Sequence, residues 1–197
     1  MITWRRCCIP ALSVFFVCTL CLLCGCVSEP ADERADPIRG DLTVAEMING
    51  TETQSVVLSY DEVLAMPAYT AHGYAVSTVG IKFGPYVCTG VALPDLLEVV
   101  GGAEEGDQVY VSAPDGYLWV FDYDQLHGES FITLDENLRE IPSPPLTVIL
   151  MYEQDGAPLS YNDGAPFRVA ITSAEEGVIT EGSSWVKWVD RIEVHRQ

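Results

Sequence analysis

The sequence predicts an α+β domain that is mostly β, with mixed sheets and a few short helices, and three observations carry that expectation. Short runs rich in Val, Ile, Leu, Tyr and Phe recur along the chain, separated by Gly, Pro, Asn and Asp. The helix signals are few and each is short, and no long amphipathic helical repeat occurs. Strands and helices are not arranged in a regular alternation that would call for a parallel doubly wound sheet.

The elements follow in order. Leu42-Thr-Val and Ser55-Val-Val-Leu58 are β-prone runs on either side of the turn-like Asn49-Gly50-Thr51. Ser59-Tyr-Asp-Glu62 has the spacing of a capping box, in which the Ser59 hydroxyl accepts from the Glu62 amide and the Glu62 carboxylate reaches back. A short helix through Met66 should follow, stopped by Pro67. Pro94-Asp-Leu-Leu-Glu-Val-Val-Gly101 places Pro in the first turn, an acid at the positive end of the helix dipole and Gly just past the end. Gln108–Ser112 and Tyr117–Phe121 flank Pro114-Asp-Gly116 and read as a hairpin. Leu146–Tyr152 reads as a largely buried strand ending in a turn at Gln154-Asp-Gly156. Phe167–Thr172 and Trp185–Val194 read as later strands. Between the first two helices, Tyr69, Tyr74, Phe83 and Tyr86 with Gly73, Gly80 and Gly84 form a loop-like stretch able to line a pocket.

The N-terminus is of another kind. Arg5 and Arg6 precede an uncharged, apolar stretch from Cys7 to Gly25, the pattern of an export signal. Leu23-Cys24-Gly25-Cys26 resembles the lipobox of lipoprotein signal peptides, which implies cleavage before Cys26 and lipidation of its sulfur. The expected organisation is a signal peptide over 1–25, an acidic flexible tether over 26–40 and a folded domain over 41–197. The expected location is the outer face of the cell membrane, held by the lipid. The domain of about 160 residues is large enough for one hydrophobic core. Of the seven cysteines only Cys88 lies beyond Cys26, so the domain has no internal disulfide and depends on its core.

With 10 basic and 29 acidic side chains, the chain has a formal charge of −19. That excludes nucleic acid as a natural partner. It suits a soluble domain beside anionic headgroups, with a small ligand or a basic protein as the partner. No phosphate-binding glycine loop, zinc-type Cys/His cluster or Ser-His-Asp spacing is present; His72, His127 and His195 are scattered, the last at a terminus expected to fray.

From Leu42 to Val194 the order of pieces resembles the molybdopterin-binding domain of the sulfite oxidase family. The residues that carry the likeness are Thr89-Gly-Val-Ala-Leu-Pro-Asp-Leu-Leu97, Ser112-Ala-Pro-Asp-Gly-Tyr117, Asp155-Gly-Ala-Pro-Leu159, Gly164-Ala-Pro-Phe-Arg-Val169 and Val186-Lys-Trp-Val-Asp-Arg-Ile-Glu-Val194. The resemblance implies that family's fold, a molybdopterin cofactor, a cysteine thiolate on the metal, and Arg and Lys side chains on the pterin phosphate. A soft sulfur suits that metal and tunes its potential.

Arg168 and Lys187 match the phosphate-gripping positions. The segment where the ligand cysteine is expected, His72 to Gly80, has none, and Ser77 is the nearest candidate for its place. Cys88 lies where the family usually has an aromatic residue and reads as a small buried filler; a reactive thiolate would need a cation, and Lys82 is the nearest in sequence. Two further cation positions hold Asp163 and Ser184. A carboxylate about 4 Å from a phosphate charge would repel it by about 4 kcal/mol at an effective dielectric near 20.

The cofactor-binding candidates are therefore Ser77, Arg168 and Lys187, with no metal ligand and no catalytic residue assigned. Two functions stay open on the sequence: an accessory or binding lipoprotein that kept the fold without the metal ligand, and a molybdopterin-dependent oxidoreductase with an altered ligand.

Overall fold

A computed structural model of the chain describes residues 37–196; the expected leader, the expected lipidation at Cys26 and most of the expected tether lie outside the described residues. Asn49 and Gly50 both take positive φ, 49° and 75°, the left-handed pair that matches strand twist in a two-residue hairpin. They join β1 (Leu42–Ile48) to β2 (Thr51–Leu58). Ser59 then caps α1 (Tyr60–Leu64) with both bonds of the capping box in place, and the helix ends at Leu64, with Ala65 as its C-cap, two residues short of the expected Met66.

The stretch expected as a loop is instead a strand pair, β3 (Tyr69–Val76) and β4 (Lys82–Ala92), joined by a turn at 77–81. The expectation failed because Gly and Tyr are common in connections, yet successive residues of β3 find partners on β4 from Tyr69↔Gly90 to Val76↔Lys82, with a register shift between Gly73 and Ala75. Next come α2 (Leu93–Leu97), a single 3-10 turn over Glu98–Val100 and the left-handed Gly101 at φ 90°, the sequence of Pro start and Gly stop that was expected.

The hairpin is β5 (Gln108–Ser112) with β6 (Leu118–Asp122). A third short helix, α3 (Tyr123–Leu126), carries its own capping box between Asp122 and Gln125. Then follow β7 (Thr133–Leu134), β8 (Glu140–Ile141), β9 (Leu146–Gln154), β10 (Ala157–Pro158), β11 (Arg168–Ser173), β12 (Thr180–Glu181) and β13 (Arg191–Arg196).

Only the end of the expected Trp185–Val194 strand is one. Through Asp190 the backbone is irregular, with Trp188 at φ 54°. Its bonds go to the start of β11 and the loop before it: Trp188 N–H to the Gly164 carbonyl (3.1 Å), Val189 N–H to Phe167 (2.9 Å) and Val169 N–H to Val186 (2.8 Å). Trp185, Val186 and Val189 are all buried, so burial does not alternate as a half-exposed strand requires. His195, in turn, is not frayed: it lies on β13, paired with Met47 and Gln108.

Two sheets result. One has the order β2-β1-β13-β5-β6, with β13 parallel to β1 and antiparallel to β5. In the other, the pairings β3–β4, β4–β9, β9–β11 and β11–β3 close a ring of strands, and β12 adds to β3 in parallel. The core is fully buried and includes Leu42, Leu96, Leu97, Phe121, Ile149, Met151, Phe167 and Ile171. No helix among the described residues is long and apolar enough to cross a membrane. The expected class, mostly β with mixed sheets and short helices, is the observed one.

Candidate functional site

Three separate stretches bring the candidate residues to one place. Ser77 directly follows β3 and holds the turn closed: its N–H donates to the Ile81 carbonyl (2.8 Å), and its Oγ accepts from the Ile81 N–H (3.0 Å). Arg168 opens β11, opposite Met151 on β9. Lys187 belongs to the irregular segment, and its Nζ donates to the Asn162 carbonyl. All three line one cavity of about 550 Å³.

Sequence reasoning missed most of the rest of the lining. The sequence points to Phe83, Tyr86 and Asp163 but not to Tyr117, Trp185, Trp188, Asp115 or Ser183 as lining residues. Tyr117 sits just beyond the Asp115-Gly116 turn, and its hydroxyl donates to the Ser183 carbonyl (2.6 Å). The hairpin motif could have signalled Tyr117. Nothing local could have signalled Trp188, whose orientation depends on a positive φ and on bonds to residues more than twenty positions away. Tyr69 and Tyr74 do not reach the cavity.

Arg168 is the central charge. It is 6% exposed and its guanidinium lies 5.1 Å from the Trp185 ring. Among the described residues its one hydrogen bond is a long contact to the Asp163 carbonyl (3.5 Å), and its Nε has no partner. Burial depresses its pKa, although the nearby Tyr86, Cys88 and Asp163 act in the opposite direction. Burial, then the neighbouring Arg168, likewise depresses Lys187. A cation held so far from water with so few acceptors costs free energy unless an anion meets it. Asp163 also lines the cavity, but its carboxylate accepts from the Ser160 hydroxyl. Ser184 does not line it; its hydroxyl donates to the Glu181 carbonyl (2.9 Å).

Cys88 is fully buried on β4, between Ala71 and Gln154. A Cβ on Gly73 would fall 2.6 Å from the Cys88 sulfur and 2.7 Å from the Trp185 ring, so Trp185, which lines the cavity, packs onto the same spot. Burial pushes the Cys88 thiol up to about 12, and at neutral pH it stays protonated. The cation acting on it is Arg168; Lys82, nearest in sequence, donates instead to the Glu136 carbonyl (2.9 Å). Among the described residues no group of three or more His, Cys, Asp or Glu side chains is placed to hold a metal ion. His72 lies near Glu176, His127 bonds the Tyr123 carbonyl and His195 stacks on Tyr110, all away from the cavity lining.

Among solved structures, the chain is similar to a chain of the sulfane dehydrogenase SoxCD from Paracoccus pantotrophus. The TM-score is 0.58 and the identity 18%, over 80% of this chain and 38% of that one. The likeness is one of fold, and this chain spans well under half of that protein's length. No curated protein matches the chain. Residues 41–197 match the family described as the oxidoreductase molybdopterin binding domain, from the first residue before β1 through β13. With most of its length so matched, the chain belongs to the oxidoreductase molybdopterin binding domain family.

Proposed function

We propose that this domain is a binding or accessory module, tethered outside the cell by a lipid on Cys26, whose Arg168 cavity takes an anion without a metal centre. The observation that supports it is the state of Arg168: buried, stacked on Trp185, with an unpartnered Nε in the lining of a cavity large enough for a small molecule.

The family's cofactor can be tested against these side chains end by end. Its phosphate would suit Arg168 and Lys187, since both are cations in the lining. Its metal end finds no match. Among the described residues no sulfur lines the cavity, the Cys88 thiol is buried with its pKa pushed up, and the Ser77 hydroxyl is a hard donor already engaged with the Ile81 amide. Asp115 and Asp163 add negative charge to the same lining. The donor set fits an anion and does not fit a metal bound to a dithiolene, so a lost metal ligand is part of this reading.

Maturation of the full chain in a host that makes the cofactor provides the test. The expected result is a substoichiometric content of molybdenum and tungsten and no released pterin by elemental and fluorescence analysis; one metal per chain overturns the reading. An Arg168→Met variant checks the cation separately. Without ligand it should be as stable as the parent or up to about 2 kcal/mol more stable, because an uncompensated buried charge has been removed. A loss above that size in denaturant unfolding would mean Arg168 is already satisfied.

A further inference from the structure

We propose that the ligand of this cavity is a small zwitterion, a carboxylate joined to a substituted ammonium, held with the carboxylate on Arg168 and the ammonium in an aromatic mouth beside Asp115. The inference rests on the anion-binding reading above and narrows it.

The most buried and the most exposed charges of the lining, Arg168 and Asp115, are of opposite sign, with the half-buried Asp163 and Lys187 adding one of each. At the floor, Arg168 is 6% exposed beside Trp185 at 3%, and the Ser183 hydroxyl has no partner among the described residues. Both Arg168 and Ser183 can donate to an oxyanion there. At the rim, Phe83 is 41% and Tyr117 42% exposed, and the exposed Asp115 lies in the turn just before Tyr117. The Asp115 Oδ1 accepts from the Tyr117 N–H (2.9 Å), which ties the carboxylate to the backbone of that residue, and both residues line the cavity. The Tyr117 hydroxyl reaches down to the Ser183 carbonyl, so one side chain spans from rim to floor. Aromatic faces beside a carboxylate attract a substituted ammonium, which is bulky, weakly hydrated and cationic.

Neither half of such a ligand suffices alone. A simple anion would satisfy Arg168, but its approach is opposed by Asp115 at the rim and by the −19 charge of the chain. A simple cation would suit the rim and leave the buried guanidinium without a counterion. A molecule with no net charge and separated ends meets both requirements. The volume of about 550 Å³ leaves room for a spacer between them.

Calorimetric titration of the purified full chain tests this with matched pairs. Glycine betaine and γ-butyrobetaine are each compared with the tert-butyl carboxylate in which carbon replaces the ammonium nitrogen, so that shape is kept and the positive charge removed. At least one zwitterion should bind about tenfold or more tightly than its isostere. Asp115→Asn, a surface change, should erase that preference while leaving the isostere's affinity unchanged or improved, and Arg168→Gln should abolish binding of both. If the isosteres bind as tightly as the zwitterions and Asp115→Asn changes nothing in their ratio, the cavity takes a plain anion; the zwitterion inference then falls and the anion reading stands. If no carboxylate binds at millimolar concentration to the well-folded parent, both fall.

Discussion

Two charges in this molecule show what partners decide. Arg168 is buried with almost none, whereas Glu193 on β13 has two: Arg191 Nε donates to it at 2.6 Å and His195 Nε2 lies at 2.8 Å. Burial alone would raise the Glu193 pKa, but the bonds from His195 and Arg191 outweigh it and hold the carboxyl below its ordinary 4.5. The sign of the consequence follows from that direction. A carboxyl with a depressed folded pKa contributes stability that is complete above the unfolded value and is lost as pH falls through the folded one. Glu193→Gln should therefore be less stable than the parent by about 1–2 kcal/mol at neutral pH. The gap should shrink as the pH drops below 4.5, as read from denaturant midpoints across the acid range. A gap that is constant with pH would mean that packing, and not the ion pairs, holds this part of the sheet. Among the cavity cations, both Arg168 and Lys187 were legible in the sequence because they sit in motifs with fixed spacing. The isolation of Arg168 was not, since the absence of a partner is a property of three dimensions.

At the scale of elements, local rules were readable and non-local ones were not. The β1–β2 turn, the α1 capping box and the Pro-to-Gly span of α2 each depend on residues within a few positions, and each formed as expected. The α3 box between Asp122 and Gln125 obeys the same rule in four residues, too short a span for helical periodicity to mark. The segment from Trp185 to Asp190 misled because its hydrophobicity serves the cavity and the ring of strands together, not one face of a sheet. Its seat is Gly73 on β3, where Cys88 and Trp185 occupy the space that a side chain would need. Gly73→Ala should cost about 1–3 kcal/mol, the range for overpacking a tight interior, and should shift the Trp185 indole, seen as a changed tryptophan emission spectrum in the folded state. Unaltered emission at full stability would show that the packing there has slack, and that Trp185 is free to move from the wall between Cys88 and the cavity.

At the scale of the whole molecule, the last strand is placed in the middle. β13 lies between β1 and β5, and Arg196 at its end bonds Glu46 on β1, Asp107 before β5 and the Gly101 and Gly102 carbonyls. This strand order could not be read from the chain, because the final strand forms a parallel pair with the first at the greatest separation in sequence. With 29 acids against 10 bases, the net charge of the chain repels an anionic bilayer. In the reading proposed above, attachment comes from the N-terminal segment, and the lipid on Cys26 would supply it after cleavage. Cys26→Ala should therefore eliminate incorporation of labelled fatty acid, and the protein should either accumulate as the longer, uncleaved precursor or leave the detergent phase for the aqueous one. Added salt should not return it to vesicles, because screening removes repulsion without creating attraction. Retention of the fatty-acid label in the Cys26→Ala protein would place the anchor elsewhere and remove the lipoprotein reading.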